Sequence, residues 1–590
     1  MDYLKTVVPS QLMAERGSNL IVINPGSANV RMGFAHQQIP VSVPHCIARY
    51  MSGTNDGQKK FSLQDQNLNR QATPTQHVEC EKAYDMIATL MKIPFLDEES
   101  ENYPFPSKMG HVDGYKSSSG RSDTIFTWTN VLETNPNSSM VAEPLDNKVS
   151  KHESLDQAKI RSGDHEYRES IFGEEALKVS PSQPYCLRCP IRRGHFNISQ
   201  HYSAQQVYED ICAIWDWILI EKLHILPAAR NAFSVLLVLP ETFDNREIKE
   251  MLSIVLQELR FSSAVIHQES LAAAFGNGLS TACVVHMGAQ VTSVICIEDG
   301  VALPATSVTL PFGGEDISRS LLWIQQHHQT WPSMHTHLLN KPIDLLMLNK
   351  LKESYCQIRD GEINAVAVVH SYEEGIGVGS HKTRLYALNV PPMGLFYPML
   401  LIPEEYPPPP RSWFHDHEDM LEDTWHLEFP RKVDNTDGLF LGGNGGLSAW
   451  ENYSVFPTRL KEEYNLGLAD AITKSILSTG RIDLQRKLFT SIQLAGGVAL
   501  TSGLVAAVEE RVLHAIPSNE AIDIVEVLQS RSDSTYVAWK GGAILGVLDF
   551  GRDAWILRED WIRNGIHIGS GRKYKDSYFL QAQAMCYMNS

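Results

Sequence analysis

The chain has 590 residues, too many for a single hydrophobic core, so its length predicts about two to four domains. Hydrophobic residues make up 43% and charged residues 20%, which is typical of a mostly globular protein. The formal net charge of −18 excludes a protein that coats nucleic acid with its whole surface, although it allows a local basic patch. There is no signal-peptide core at the amino terminus and no apolar run of roughly 18 residues, so we expect a soluble intracellular protein.

The nine cysteines are scattered and lack the even spacing of a disulfide framework. Cys186 and Cys189 form one CxxC pair, with no second pair to complete a zinc site. Reduced thiols in a cytosolic or nuclear protein are the preferred interpretation, and zinc the weaker one.

The first structured unit, residues 18–50, is built around the stretch IVINPGSANVRMGF at positions 21–34. A β-branched run enters the turn Pro25-Gly26-Ser27, and Arg31 and Gly33 follow, which predicts two strands joined by a tight turn. Such a turn presents backbone N–H groups to an anion, as phosphate-binding loops do. Alone, the pattern is more typical of an ordinary hairpin than of a phosphate loop.

Residues 76–94 have helical periodicity, with one predicted apolar face formed by Val78, Ala83, Met86, Ile87, Leu90 and Met91. The polar residues 96–164 hold few apolar clusters, too few to offset the entropy of ordering them. We expect a disordered insertion there, in which Phe126 and Trp128 form a local cluster rather than a docking motif.

Order returns after residue 165 as an alternation of helices and strands, which predicts an α/β architecture. The predicted elements are a helix at 204–224, a buried strand at 233–239, a helix at 244–259, a strand at 264–266 and a short helix at 270–275.

The stretch 282–297 repeats the geometry of the first hairpin about 260 residues later. Its predicted strands are 282–285 and 291–297, and the turn between them is 286–290. Two such units facing each other across a cleft would clamp a polyphosphate from both sides.

After predicted helices at 310–325 and 343–356, periodicity is lost from about residue 371. Residues 371–454 are interpreted as a second, acidic insertion that contains four consecutive prolines, 407–410. Between residues 403 and 437 there are ten acidic and three basic side chains, with aromatic residues among them. This composition suits a basic partner such as a histone, but a solvated loop is the preferred interpretation.

The block 455–568 is again structured, and residues 569–590 form a tail with a weak basic cluster, Arg572–Lys575. A strand at 491–495 runs into Gly496-Gly497, and a strand or turn near 537 enters a helix through Gly541-Gly542. Paired glycines at such junctions permit either close approach to a ligand or tight helix–sheet packing.

Five spaced motifs occur in an order that resembles the nucleotide-binding segments of actin and the actin-related proteins. They are the Pro-Gly-Ser turn with Arg31, Gly288 in the second turn, Leu351-Lys352-Glu353, Leu494-Ala-Gly-Gly497 and Trp539-Lys-Gly-Gly542. The resemblance covers residues 18–50, 165–370 and 455–568. Within the group, the segment His267-Gln-Glu-Ser270 is most similar to the actin-related protein 8 subfamily, whose plant members are called actin-related protein 9. It implies an actin-like (actin/Hsp70/sugar-kinase) α/β fold, with two domains flanking an ATP cleft and with two long polar insertions.

The resulting division of the chain is 18–95, 165–370 and 455–568 as actin-like parts, 96–164 and 371–454 as insertions, and 569–590 as the tail. Carried over by position, the cleft residues are Asn24, Gly26, Ser27, Ala28 and Arg31 in the first phosphate loop, His286, Met287, Gly288, Ala289 and Gln290 in the second, Lys352 and Glu353 at the adenine and ribose, and Gly496, Gly497 and Leu500 beside the nucleoside.

The departures from actin concern the metal and the attacking water. Asn24, His286 and Ala289 stand where actin has aspartates, so Mg²⁺ lacks its anchoring carboxylates and we assign no metal ligand. Glu269 replaces the glutamine that orients water, and Ser293 replaces a histidine of the same network. The resemblance therefore implies ATP binding with little or no hydrolysis; the doubtful catalytic candidate is Glu269, acting as a general base in a weak ATPase.

The resemblance further implies a non-filamentous nuclear protein, because an insertion at 96–164 is incompatible with filament packing. The implied role is that of a structural subunit of a chromatin-remodelling complex of the INO-eighty type, concerned with transcription and DNA repair. Implied partners are actin, other actin-related proteins, a platform helix of the remodeller ATPase, histones of the nucleosome and, through the complex, DNA, but no membrane. A cytoplasmic cytoskeletal adaptor is the remaining alternative.

Overall fold

The computed structural model describes residues 10–51, 74–92, 159–162, 165–179, 183–199, 202–243, 245–334, 336, 342–373, 377–401, 466–518, 522–548 and 555–564. Most of both expected insertions (96–158 and 402–454) and the expected tail lie outside these ranges. Among the helices in them, none has the length and apolar character needed to cross a membrane.

The helices are numbered in chain order and alternate with strands over most of the chain. They are α1 (Ser10–Gly17), α2 (Pro74–Leu90), α3 (Gly173–Leu177), α4 (Ala204–Trp217), α5 (Asn245–Ser253), α6 (Glu269–Gly276), α7 (Gly314–His327), α8 (Pro342–Tyr355), α9 (Val390–Met393), α10 (Leu468–Leu477), α11 (Ile482–Phe489), α12 (Leu504–Ala515), α13 (Val537–Val547) and α14 (Arg558–Asn564). Short π-helical turns extend α4 and α5 at Ile218–Lys222 and Ile254–Glu258, and 3₁₀ turns lie at Pro227–Ala232, Pro398–Leu400 and Gly497–Leu500.

The strands are numbered in the same way. They are β1 (Leu20–Pro25), β2 (Asn29–Phe34), β3 (Val41–Pro44), β4 (Ile47–Tyr50), β5 (Lys159–Ser162), β6 (His165–Arg168), β7 (Ser170–Phe172), β8 (Tyr185–Arg188), β9 (Ile191–Arg192), β10 (His195–Phe196), β11 (Ser234–Leu239), β12 (Ser263–Gln268), β13 (Ala282–Met287), β14 (Thr292–Glu298), β15 (Val301–Leu310), β16 (Ala365–Glu373), β17 (Gly377–Leu385), β18 (Ile492–Ala495) and β19 (Ile556–Leu557).

Two large sheets share one arrangement. The first has the order β19-β12-β11-β1-β2-β3, with β1, β11 and β12 parallel and β1-β2-β3 an antiparallel meander. The second has the order β15-β14-β13-β18, with β13 and β18 parallel and β13-β14-β15 antiparallel. Each sheet therefore carries one hairpin whose turn follows the carboxyl end of a parallel strand, where α/β proteins bind ligands.

Helices α6 and α13 pack between the two sheets. Their buried alanines and Trp539 lie in one apolar cluster with Val22 and Leu236 of the first sheet and Val284 of the second. Gly541 is inside α13, and a Cβ atom there would lie 1.6 Å from the carbonyl oxygen of Ala272. The Gly541-Gly542 pair thus serves helix packing from the middle of a helix, and the expected strand or turn before it is wrong.

Outer elements cover each half of the molecule. The three-stranded sheet β7-β4-β8 and the hairpin β5–β6 accompany the first sheet, and α8 with the hairpin β16–β17 accompanies the second. Strand β5 lies within 96–164, so that insertion ends earlier than the sequence indicates. Residues 377–401 are also structured, with Val390, Met393 and Leu400 fully buried, so the loss of periodicity after 371 does not mark the end of structure.

The predicted helices and strands of the central block are confirmed, with shifted ends. Helix α2 is also present, but its apolar face is partly wrong. Val78, Met86 and Leu90 are 44–49% exposed, while Cys80 and Tyr84 are buried instead.

Candidate functional site

The tip of the first hairpin, Gly26–Ala28, is held by backbone and histidine hydrogen bonds. The Gly26 N–H donates to the Asn29 carbonyl at 2.9 Å. The Nδ1 atom of His45 is 3.0 Å from the Gly26 oxygen, and Trp215 donates to His45 Nε2 at 3.3 Å. Burial lowers the pKa of His45 to about 4, so this histidine is a neutral support under the turn.

The tip of the second hairpin is fixed by the start of α7. Gly288 donates to the Val291 carbonyl, while the N–H groups of Gly314 and Glu315 donate to the carbonyls of Gly288 and Ala289 at 3.0 and 2.7 Å. The turn is shorter than the sequence indicates, because His286 and Met287 belong to strand β13.

Both tips carry backbone N–H groups to which no described residue provides an acceptor. Among the described residues, no hydrogen bond involves the N–H groups of Ser27, Ala28, Ala289 or Gln290. All four residues are partly exposed. Paired unused N–H groups at a turn form an anion-binding concavity, so each tip suits a phosphate.

Glu269, the first residue of α6, joins the two hairpins. The Asn24 amide nitrogen donates to Glu269 Oε1 at 2.8 Å and to the Val238 carbonyl at 3.0 Å. The Nδ1 atom of His286 lies 2.9 Å from Glu269 Oε2. One buried carboxylate thus holds a residue from each sheet, and both of its oxygens are engaged.

The charges at this junction stabilise each other. Burial alone would raise the pKa of Glu269, but the charges of His286 and Arg31 and the hydrogen bonds from His286 and Asn24 outweigh it and lower that pKa. Burial likewise opposes protonation of His286, but attraction to Glu269 raises the pKa of the imidazole. The junction is therefore an ion pair of a carboxylate and an imidazolium.

Arg31, on β2, adds a second cation. Burial lowers the pKa of its guanidinium, against attraction from Glu269 and Asp533, but an arginine keeps its charge. Within the described ranges no hydrogen bond is made by this guanidinium, which leaves it available to an anion.

Glu241 is a cleft residue that the sequence analysis missed. It follows the buried strand β11, accepts the Ser270 N–H at 2.8 Å and accepts the Ser293 hydroxyl at 3.3 Å. Burial, and then repulsion from Glu269, raise the pKa of Glu241. Its place directly after a parallel strand is the signal that sequence reasoning had available.

Arg193 is a second missed residue and braces the second tip. Its N–H donates to Gln290 Oε1 and its Nη1 to the Gln290 carbonyl, both at 2.8 Å. Its guanidinium also binds both oxygens of buried Asp316, at 2.6 and 2.7 Å. Burial would raise the pKa of Asp316, but the charge of Arg193 outweighs it and lowers that pKa.

The residues assigned to the nucleoside form a looser group. Lys352 donates to the Gly314 carbonyl at 2.7 Å, and burial lowers its pKa. Gly496 has a φ of +88° and abuts β13, because a Cβ there would lie 2.1 Å from the Met287 oxygen. Glu353, Gly497 and Leu500 are exposed, with 63% of Leu500 accessible, so packing against the described residues does not explain them.

The cleft fits a nucleotide better than it fits a divalent cation. Cationic side chains and unused N–H groups are what a polyphosphate needs. Magnesium favours carboxylate ligands, yet the side chains of Asn24, His286 and Ala289 offer one amide oxygen between them and no carboxylate. In the part of the chain that the structure describes, no three His, Cys, Asp or Glu side chains form a group able to hold a metal ion.

The fold and the cleft define a protein of the actin class. The sequence profile of the family described as Actin matches residues 16–572, and the chain belongs to that family. It is 62% identical to actin-related protein 9 of Oryza sativa subsp. indica and 57% identical to that of Arabidopsis thaliana, covering 100% of this chain and 100% and 98% of those proteins. It is 27% identical to actin-related protein 8 of Bos taurus, covering 93% and 91% of the two chains.

A solved structure described as human actin-related protein Arp8 in its ATP-bound state matches with a TM-score of 0.66. It is 26% identical, and the match covers 95% of this chain and 97% of that one. The expected actin-like fold and the similarity to actin-related proteins 8 and 9 are thereby confirmed.

Proposed function

We propose that this actin-related protein binds ATP in the cleft, hydrolyses it slowly or not at all, and acts as a non-filamentous structural subunit of an INO-eighty-type chromatin-remodelling complex in the nucleus. The observation that carries the nucleotide part is the Asn24–Glu269–His286 junction, with both oxygens of Glu269 engaged. The similar human Arp8 structure, described as ATP-bound, supports a nucleotide in the same fold.

Slow hydrolysis follows from what phosphoryl transfer requires. An attacking water must be oriented or deprotonated, and developing charge is normally neutralised by a metal ion. Glu269 has a lowered pKa, so it is a weak base, and each of its oxygens already accepts a hydrogen bond from the protein. The residues at the tips offer no carboxylate to a metal.

The experiment is to measure the nucleotide that the purified protein carries, by denaturing it and separating the supernatant by ion exchange. We expect ATP near one equivalent. Mostly ADP would contradict slow hydrolysis if ATP was the form that bound, and the absence of nucleotide would contradict ATP binding.

The alternative of a weak ATPase is supported by the two carboxylates at the floor of the cleft, Glu241 and Glu269. It predicts turnover above background that disappears in Glu269→Gln. A matched variant away from the cleft, Glu509→Gln on α12, should leave such turnover unchanged.

The chromatin role is supported by the similarity to actin-related protein 8 and by an acidic charge balance that suits histones more than DNA. Actin, other actin-related proteins and the subunits of the remodeller should copurify with the tagged protein from nuclei. Their absence, together with a cytoplasmic fluorescence signal, would instead favour the cytoskeletal adaptor.

A further inference from the structure

Every oxygen of the carboxylates at the floor of the cleft already accepts one donor of the protein. Glu269 Oε1 accepts a hydrogen bond from the Asn24 amide at 2.8 Å, and Glu269 Oε2 pairs with His286 Nδ1 at 2.9 Å. Glu241 receives the backbone of Ser270 and the hydroxyl of Ser293, again one on each oxygen. A divalent cation would have to share each carboxylate oxygen with one of these donors, which weakens the oxygen as a metal ligand.

Two cationic side chains, His286 and Arg31, lie beside the Glu269 carboxylate. The imidazole of His286 is paired with Glu269 through Nδ1, which leaves Nε2–H as its second donor. Arg31 lies within electrostatic reach of the same carboxylate and makes no hydrogen bond to the described residues. Because His286 neutralises Glu269, the charge of Arg31 remains in excess, which favours the high negative charge of a free nucleotide and repels a dication.

We propose that the cleft holds ATP as the metal-free nucleotide, with Arg31 and His286 supplying the positive charge that a divalent cation would otherwise bring. This inference rests on the proposed function, since it assumes that ATP occupies the cleft. It concerns the ionic form of the ligand, which can be tested without measuring hydrolysis.

The first test uses the full chain purified without chelator. Bound ATP and bound magnesium, calcium and manganese are quantified in the same sample, and the protein is then held in excess EDTA or in Mg²⁺ and desalted at intervals. We expect well under one metal ion per ATP and similar rates of ATP loss in the two buffers. One metal per ATP, or loss roughly tenfold faster in EDTA, would overturn the inference while leaving ATP binding intact.

A protein that carries no ATP and takes up none in either buffer would instead overturn the proposed function. The two failures are therefore distinguishable.

The second test replaces one of the two cations. His286→Gln keeps a hydrogen-bond donor for Glu269 but removes the charge, and should speed ATP loss in EDTA by roughly tenfold, as expected for one charge-assisted contact. Mg²⁺ should now slow that loss, because Glu269 is no longer neutralised. His514→Gln, exposed at the end of α12, is the matched control and should change neither rate. Equal rates for His286→Gln and the control would refute the assigned role of His286.

Discussion

At the scale of single residues, the junction of Glu269 and His286 ties stability to pH. The pKa of His286 is raised above its ordinary 6.5, so its contribution is fully present below pH 6.5 and is lost as pH rises through the folded-state pKa. The pKa of Glu269 is lowered below 4.5, so its contribution is present above pH 4.5 and is lost as pH falls through the folded-state pKa. The pair is therefore most stabilising between these limits, near pH 5–6.

We expect His286→Gln to lower the free energy of unfolding most at about pH 6, by up to about 3–5 kcal/mol, the cost of breaking a buried ion pair. The deficit should shrink as pH rises through the folded-state pKa of His286, where the parent protein loses the imidazolium charge. Urea unfolding of both proteins at several pH values measures this. A deficit that is no larger at pH 6 than at alkaline pH would argue against the His286–Glu269 ion pair.

Arg193 acts at the same scale, because one side chain connects the loop after β9 to the second tip and to Asp316. Lysine keeps the charge but not the two-pronged geometry, so Arg193→Lys should lose at least one charged hydrogen bond, worth about 1.5–3 kcal/mol. We expect a lower melting temperature and weaker ATP binding. Arg486→Lys, exposed on α11, is the control. Unchanged ATP affinity would show that Arg193 supports the fold without positioning Gln290.

At the scale of elements, the contact of α6 with α13 decides how close the two sheets come. Gly541→Ala would place a methyl group 1.6 Å from a backbone oxygen of α6, whereas Gly546→Ala meets the end of the Leu20 side chain at 2.5 Å. Moving a backbone oxygen aside costs much more free energy than moving the end of a flexible side chain. We therefore expect Gly541→Ala to reduce soluble expression and melting temperature severely, at a cost of about 3 kcal/mol or more, and Gly546→Ala to do so mildly. Similar losses in the two variants would argue against a backbone clash.

The elements also show how far sequence reasoning reaches. Periodicity predicted α4, β11 and both hairpins, because local patterning agrees with burial there. Periodicity placed Gly541-Gly542 at a strand–helix junction. These glycines lie inside α13, where glycine is required because the partner helix α6 lies so close, and the sequence of α13 alone does not record that contact. Periodicity also ended structure at 371 because β17 is rich in glycine and polar residues, and the buried side chains Thr383 and Leu385 alternate there with exposed ones.

The cleft residues on the two hairpins were predictable, because the second hairpin repeats the sequence pattern of the first. Asn24, Arg31, Glu269 and His286 were found by motif order, and the structure brings them together. Arg193 and Glu241 were missed because their hydrogen-bond partners are distant in sequence. Arg193 binds Gln290, about a hundred positions away, and Glu241 binds Ser293, about fifty positions away. Long-range partners of this kind are set by topology, which no local pattern records.

At the scale of the whole molecule, the two sheets present equivalent hairpins to one cleft, and Glu269 sits between them. A nucleotide that uses both tips must therefore protect backbone amides about 260 residues apart in sequence, and it should stabilise the fold by about 2.7 kcal/mol at a free concentration of 100 times Kd. We expect ATP to slow hydrogen exchange at Ser27 and Ala28 together with Ala289 and Gln290. The β16–β17 hairpin, away from the cleft, should exchange at the same rate with and without ATP.

Arg31→Gln should reduce this protection at both tips, because the cation on β2 attracts the phosphates that bridge them. Protection confined to one tip would mean that the nucleotide contacts a single sheet. In that case ATP would not hold the two halves of the molecule together, and the Glu269 junction would be the only polar connection that the described residues make between the hairpins.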